Sequence, residues 1–227
     1  MASAPIVEII SATRLSKAAF RDSPLGISLA RMERDTRLVP KISYENSLGL
    51  SEIYNARIAS AETADILVFI HDDVWIEDFF FTDRLLEGFK VFGVIGLAGD
   101  SRRMPGQYSW ALSPQTNQPD FPHLRGTLAY GTVSQGPINF YGPNPADCEL
   151  LDGVFLAARK ATLVGRKVAF DPQFDFHFYD LDFCRSARRA GVRLGVWPIA
   201  MTHQSNGAYG SPSHIANGKR YFAKWGD

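Results

Sequence analysis

The chain has 227 residues, with 24 basic and 24 acidic side chains and a formal net charge of zero. That balance removes any overall electrostatic pull toward nucleic acid or an anionic membrane, while the length suits one α/β domain with a substantial core. Cys148 and Cys184 are the only cysteines and lack CxxC spacing, which argues against a disulfide scaffold and for a reducing compartment. With no basic leader at the N-terminus and no apolar run of membrane-spanning length, a cytoplasmic protein without a transmembrane segment is expected, peripheral to a membrane only if its acceptor is membrane-bound.

In chain order, the first strand is expected over Ile6–Ser11, ending at Ala12-Thr13-Arg14. Ser23-Pro24 starts a helix, with Ser as N-cap and Pro at the first helical position, running through Leu29 and Met32 to about Glu33. A second strand, Leu38–Ser43, ends at Tyr44-Glu45-Asn46. Gly49 to about Thr63 reads as a helix with Leu50, Ile53, Tyr54 and Ile58 on one face. Ile66–Ile70 is a continuous apolar strand, followed by a helix over Glu77–Lys90 and a strand over Val91–Leu97. Gly99–Asp147 is irregular, with short strands expected around Thr127–Val133; so long a stretch inside a compact domain marks a functional loop region. Leu150–Ala158 is strand-like but interrupted by Asp152-Gly153. Tyr179–Ala190 is a helix stopped by Gly191, and Arg193–Ile199 is the last strand. The tail, Thr202–Asp227, closes with the basic residues Lys219, Arg220 and Lys224. Strands alternating with helices predict an α/β fold with a mostly parallel sheet, mixed at the edge where the 127–158 segment joins, and helices on its flanks.

The strand Ile66–Ile70 ends abruptly in His71-Asp72-Asp73. Ligands of open α/β sheets collect just beyond the carboxyl ends of strands, and carboxylates crowded there repel one another unless a cation or proton offsets the charge. An oxygen-rich site of this kind suits Mg²⁺ or Mn²⁺. The competing reading makes Asp72 and Asp73 N-terminal caps of the following helix, whose first turn would carry Glu77 and Asp78. The same topological argument assigns Thr13, Arg14, Glu45 and Asn46, at the ends of the first two strands, to a nucleotide base and ribose. Asp180 and Asp182 sit at a helix start, where backbone N–H groups favour ionised carboxylates; ordinary capping is the alternative.

Four blocks resemble the nucleotide-sugar-dependent glycosyltransferases of the GT-A (Rossmann-like) fold, closest to the family 2-like members. Gly49–Ala64 leading into Asp65–Val74 is similar to the helix and strand that end in a D-x-D motif. Asp152-Gly153-Val154-Phe155-Leu156 is similar to the acceptor-side strand, and Phe170-Asp171-Pro172-Gln173-Phe174 to the turn before the catalytic helix. Tyr179-Asp180-Leu181-Asp182-Phe183-Cys184-Arg185 looks like the E-D-x-D helix. The resemblance spans roughly residues 5 to 205. It implies a single domain over 1–227, with a nucleotide-binding half to about residue 100, an acceptor and catalytic half over 101–204, and a flexible lid and tail over 205–227. It also implies a metal-dependent transferase moving a sugar from a nucleoside diphosphate to a glycan, lipid-linked or protein acceptor, with inversion.

By the same resemblance Asp73 contacts the divalent ion, His203 is a late second ligand, and Asp180 is the general base, with Asp182 orienting a neighbour or a substrate hydroxyl. Asn55, His71, Asp72 and Asp152 fall on the donor side. The pattern departs from the family where His71 replaces the first acid of D-x-D, where Tyr179 replaces Glu, and where Tyr54-Asn55 replaces Arg-Asn. Trp110 is the aromatic candidate for stacking on an acceptor sugar. Two alternatives remain: a non-catalytic sugar- or nucleotide-sugar-binding protein on a degenerate transferase fold, and a sugar nucleotidyltransferase. The latter is disfavoured because Ser11–Lys17 has no glycine for a phosphate loop.

Overall fold

The computed structural model describes residues 4–62, 64–204 and 210–227. Its first half runs β1 (Val7–Ala12), α1 (Lys17–Phe20), α2 (Pro24–Arg31), β2 (Leu38–Ser43), α3 (Leu50–Ala59), β3 (Ile66–Ile70), β4 (Val74–Ile76), α4 (Phe81–Gly88), β5 (Val94–Gly96) and β6 (Ala98–Asp100). The second half adds β7 (Leu124–Tyr130), β8 (Ile138–Gly142), β9 (Ala146–Cys148), β10 (Leu150–Leu151), β11 (Phe155–Arg159), α5 (Lys160–Arg166), α6 (Tyr179–Arg189), β12 (Leu194–Val196), β13 (Met201–His203) and α7 (Pro212–Trp225). Among the described residues, no helix is long and apolar enough to cross a membrane.

A seven-stranded sheet, in the order β2-β1-β3-β11-β5-β12-β9, forms the middle layer. Every residue of β3 is buried. Because side chains of a strand alternate between faces, Ile66, Val68 and Ile70 join one core with Leu25 of α2 and Phe81 and Leu85 of α4. Leu67 and Phe69 join the opposite core with Tyr54 of α3, Leu163 of α5 and Phe183 of α6. This is the strand the apolar run demanded, covered by helices on both sides. A second sheet, in the order β10-β6-β7-β13-β4 with β8 paired to β7, stands at the carboxyl end of the first.

Several expectations need correction. Antiparallel pairing is not confined to an edge: β11 runs antiparallel between β3 and β5, in the middle of the sheet. The expected strands Val91–Leu97 and Leu150–Ala158 each break in two, with β5 and β11 in the first sheet and β6 and β10 in the second. Within these two stretches the chain passes from one sheet to the other, at Leu97 and at Asp152-Gly153. Gly126 serves the first crossing. Its φ of +94° and missing side chain let β7 approach so closely that a Cβ would lie 2.0 Å from the Leu97 carbonyl oxygen.

Nor does a helix follow Asp73. The β-favouring residues Val74, Trp75 and Ile76 pair antiparallel with β13, and the helix starts only at Phe81. Asp72 and Asp73 therefore do not cap the following helix, whose N-cap is Phe80. Residues 212–225, read as tail, form α7, capped by the Ser211 hydroxyl accepting from the His214 N–H. Trp225 Nε1 donates to Asp182 Oδ1 at 2.8 Å, and Lys224 Nζ lies 2.7 Å from both Asp182 Oδ1 and Asp171 Oδ2, so α7 is fastened to α6. The lid expected from residue 205 lies largely outside the described residues.

Phe69 packs against Tyr54 and Phe170, with ring centroids 4.8 and 5.0 Å away. Phe69→Ala should cost about 3–5 kcal/mol in urea unfolding, the usual range for a buried aromatic truncation. Phe79 is 95% exposed, and Phe79→Ala should stay within about 0.5 kcal/mol of the parent. Equal midpoints for the two variants would contradict this core.

Candidate active site

Three strand pairings converge on the end of β3. In the β3–β11 register Phe155 lies opposite Ile70, and the His71 N–H donates to the Val154 carbonyl at 3.1 Å, which sets Asp152-Gly153 beside His71. In the β4–β13 register His203 lies opposite Val74, and the Gln204 N–H donates to the Asp73 carbonyl at 2.9 Å. The start of α6 closes the arrangement. The Gly153 N–H donates to Asp180 Oδ2 at 3.0 Å, and the Tyr179 hydroxyl donates to the Gly153 carbonyl at 2.7 Å. A Cβ on Gly153 would sit 2.5 Å from the Tyr179 hydroxyl and 2.8 Å from Asp180 Cβ, so only glycine allows this approach.

His71, Asp73 and His203 each offer a ligand atom within 4.8 Å of the others. His203 Nε2 lies 3.3 Å, and His71 Nδ1 4.0 Å, from Asp73 Oδ1. Two imidazoles and a carboxylate are an apt donor set for a divalent ion. Burial lowers the His71 pKa to about 4 against the opposing pull of Asp73, so its ring is neutral, as a ligand must be, at neutral pH.

Asp180 borders the same cavity of about 350 Å³ as His71, His203 and Asp152. Burial raises its carboxyl to about 7, with the neighbouring Asp152 charge as the second cause, against the lowering effect of backbone N–H donors that include Gly153. Burial likewise raises Asp152, which accepts from the Val154 N–H at 3.1 Å and from the Trp110 side chain. Asp180 is thus a carboxylate able to take up and release a proton near neutral pH.

A second cavity, about 760 Å³, is lined by Thr13, Arg14, Asn46, Asp72 and Asp175, and it shares Phe176 with the first. Thr13 hydrogen-bonds the Asp72 carboxylate, whose pKa burial raises. The Asn46 side chain also shapes its own loop, bonding the Leu48 N–H and carbonyl.

Not every candidate joins these cavities. Glu45 is exposed and lines neither one. Both ends of the Asn55 amide are bound to the Phe170 backbone, at 2.7 and 2.9 Å, where they brace α3 against the turn before α6. Asp182 is fully buried on α7's side of α6. Trp110 lines the first cavity but is only 6% exposed and lies edge-on to Tyr141, so its part is to hold Asp152 more than to present a stacking face. Lys224 is held by Asp171 and Asp182, away from both cavities.

Among the bordering residues that the sequence does not single out are Phe176 and His214. Phe176, 48% exposed, forms the shared wall, and nothing in its sequence context marks it. His214, in the stretch expected as tail, is on α7 and lines the first cavity.

Carboxyl NMR titration should find Asp180 with a midpoint near 7. Asp152→Asn should lower that midpoint, because the nearby negative charge is gone. The folded protein holds this proton to higher pH than an unfolded aspartate of pKa about 3.9. The group's contribution to stability is therefore full at low pH and declines as pH rises from about 4 to about 7. An ordinary Asp180 midpoint would refute the buried pairing.

Residues 38–208 match the model of a family described as a glycosyltransferase-like family. No curated protein sequence matches. Among solved structures, TarS of S. aureus is similar over 96% of this chain, at 14% identity and a TM-score of 0.51; the match covers 39% of the TarS chain, so this chain spans about two fifths of it. Residues 1–349 of TarS match at 14% identity and a TM-score of 0.48, covering 96% of this chain and 64% of that one. The catalytic domain of Drosophila beta1,4galactosyltransferase 7, in complex with xylobiose, matches at 11% identity and a TM-score of 0.43, covering 85% and 65%. The first of these likenesses concerns the fold alone, and the two with TM-scores below 0.5 carry no weight. The family match covers well over half of the 227 residues and includes β3, the 152–153 crossing, α6 and His203, so the chain belongs to the glycosyltransferase-like family.

Proposed function

We propose that this chain transfers a sugar from a nucleoside diphosphate to a hydroxyl of a glycan, lipid-linked or protein acceptor, with inversion and with the help of a divalent ion. The observation that carries the reading is that Asp180, with a pKa near neutrality, borders one cavity with His71 and His203, while Phe176 joins that cavity to a second one lined by Thr13, Arg14 and Asp72. In this reading the nucleoside occupies the larger cavity, and the diphosphate passes Phe176 toward His71, Asp73 and His203. The sugar and the acceptor hydroxyl meet beside Asp152 and Asp180.

Asp180 accepts the hydroxyl proton as the acceptor oxygen bonds to the anomeric carbon. The bond from that carbon to the diphosphate oxygen breaks, and the nucleoside diphosphate leaves with the electron pair. A positioned base of this kind contributes typically ~10²–10⁴-fold in rate. Asp73, His203 and His71 would hold the ion, whose chemistry is electrostatic stabilisation of the charge developing on the diphosphate. Asp152, close to both Asp180 and His203, keeps the Asp180 proton affinity high enough for it to act as a base near pH 7.

A panel of nucleoside diphosphate sugars, assayed for saturable binding and for transfer or slow hydrolysis, tests the donor class. Asp73→Ala should abolish metal-dependent donor binding. Asp180→Asn should keep that binding and lose about 10²–10⁴-fold in transfer. The parent rate should rise with pH through about 7, as Asp180 deprotonates, and Asp152→Asn should move that limb to lower pH. Full transfer by Asp180→Asn would remove the base assignment, and an absence of nucleotide binding would remove the enzymatic reading.

A further inference from the structure

Two of the three departures from the family pattern, His71 for an acid and Tyr179 for Glu, meet in space. His71 Nε2 lies 2.9 Å from the Tyr179 hydroxyl. That hydroxyl is itself 2.7 Å from the Gly153 carbonyl oxygen, which can only accept. A phenol has one proton to give. With that proton directed to Gly153, the hydroxyl receives from His71, so Nε2 carries the imidazole proton and Nδ1 carries the lone pair. Nδ1 is the nitrogen that faces Asp73 Oδ1, at 4.0 Å.

We propose that Tyr179 and His71 form one device: Tyr179 fixes the His71 tautomer so that Nδ1 serves as a third protein ligand, and the site thereby favours a nitrogen-binding transition ion over Mg²⁺. This rests on the metal-assisted reading above and adds to it the ligand atom, the residue that orients it and the class of ion. Mg²⁺ binds through oxygens and dehydrates reluctantly, whereas imidazole suits divalent transition ions. Three protein ligands still leave coordination positions for diphosphate oxygens. Tyr179 is a positioning residue well built for this, being only 3% exposed and packed among Tyr54 and Phe170 with ring centroids 6.0 Å away. Its partner Gly153 cannot be substituted without displacing the hydroxyl. A hydrogen bond from the second nitrogen of a ligating histidine is a recurrent way to orient the ring, and its loss typically costs about 10–100-fold in metal affinity.

The test uses the full, metal-free chain without nucleotide. Long-range proton–nitrogen NMR correlations of the His71 ring should show the Nε2–H tautomer. Calorimetric titrations with Co²⁺ and Mg²⁺ should favour Co²⁺ by about tenfold or more. Tyr179→Phe should weaken Co²⁺ binding by about 10–100-fold, and should have no further effect once His71→Asp is present. An Nδ1–H tautomer in the parent protein overturns the proposal even if Tyr179→Phe fails to fold. So does unchanged Co²⁺ affinity in a folded Tyr179→Phe, or Mg²⁺ binding as tight as Co²⁺. If Asp73→Ala loses Co²⁺ while Tyr179→Phe keeps it, this device falls and the metal-assisted reading stands. If the parent protein binds no divalent ion with or without nucleotide, both fall.

Discussion

Gly153 joins the two halves of the site through the backbone of a single residue. Its N–H donates to Asp180, its carbonyl accepts from Tyr179, and its missing side chain lets the start of α6 lie against the crossing between β10 and β11. Asp152 precedes it, and the next residue, Val154, accepts from His71 at the end of β3. The general-base candidate and the metal-ligand candidates therefore depend on one close approach of backbone to side chain. An added methyl group here would push on a buried phenol and on Asp180 Cβ.

The approach has an electrostatic consequence. It brings Asp152 and Asp180 together in a buried site, where desolvation and mutual repulsion both oppose ionisation. Left alone, such a pair destabilises the folded protein at neutral pH. The backbone N–H of Gly153, the Val154 N–H and the Trp110 side chain offset part of that cost. What remains is a carboxylate poised to exchange a proton near pH 7, which is the property a base needs. Neutral His71 follows from the same burial, which opposes its positive charge.

The second sheet explains why distant residues meet. β4 and β13 pair antiparallel, so Asp73, just before β4, and His203, at the end of β13, become neighbours. Leu97 and Asp152-Gly153 carry the chain between sheets, giving the cavity a wall from each one. α7 then packs on α6, with Lys224 and Trp225 on Asp182 and with His214 facing the cavity.

Much of the framework was legible because its signals are local. The apolar run Ile66–Ile70, the Ser23-Pro24 helix start and the Gly191 stop each depend on a few adjacent residues, and each element lies where those residues place it. His71-Asp72-Asp73 at a strand end and the order of the family-like blocks pointed to residues that the fold gathers around the two cavities. Which side chains face the cavities was not legible. Asn55 braces a turn and Asp182 anchors a helix because their partners, Phe170 and Trp225, come from remote parts of the sequence. Nor could spacing show that Tyr179 reaches His71, or that one apolar stretch divides between two sheets. Residue type and short-range periodicity determine what an element can be. Register, crossing points and the partner of each polar group depend on long-range backbone pairing and close contact, which exist only once the chain has folded.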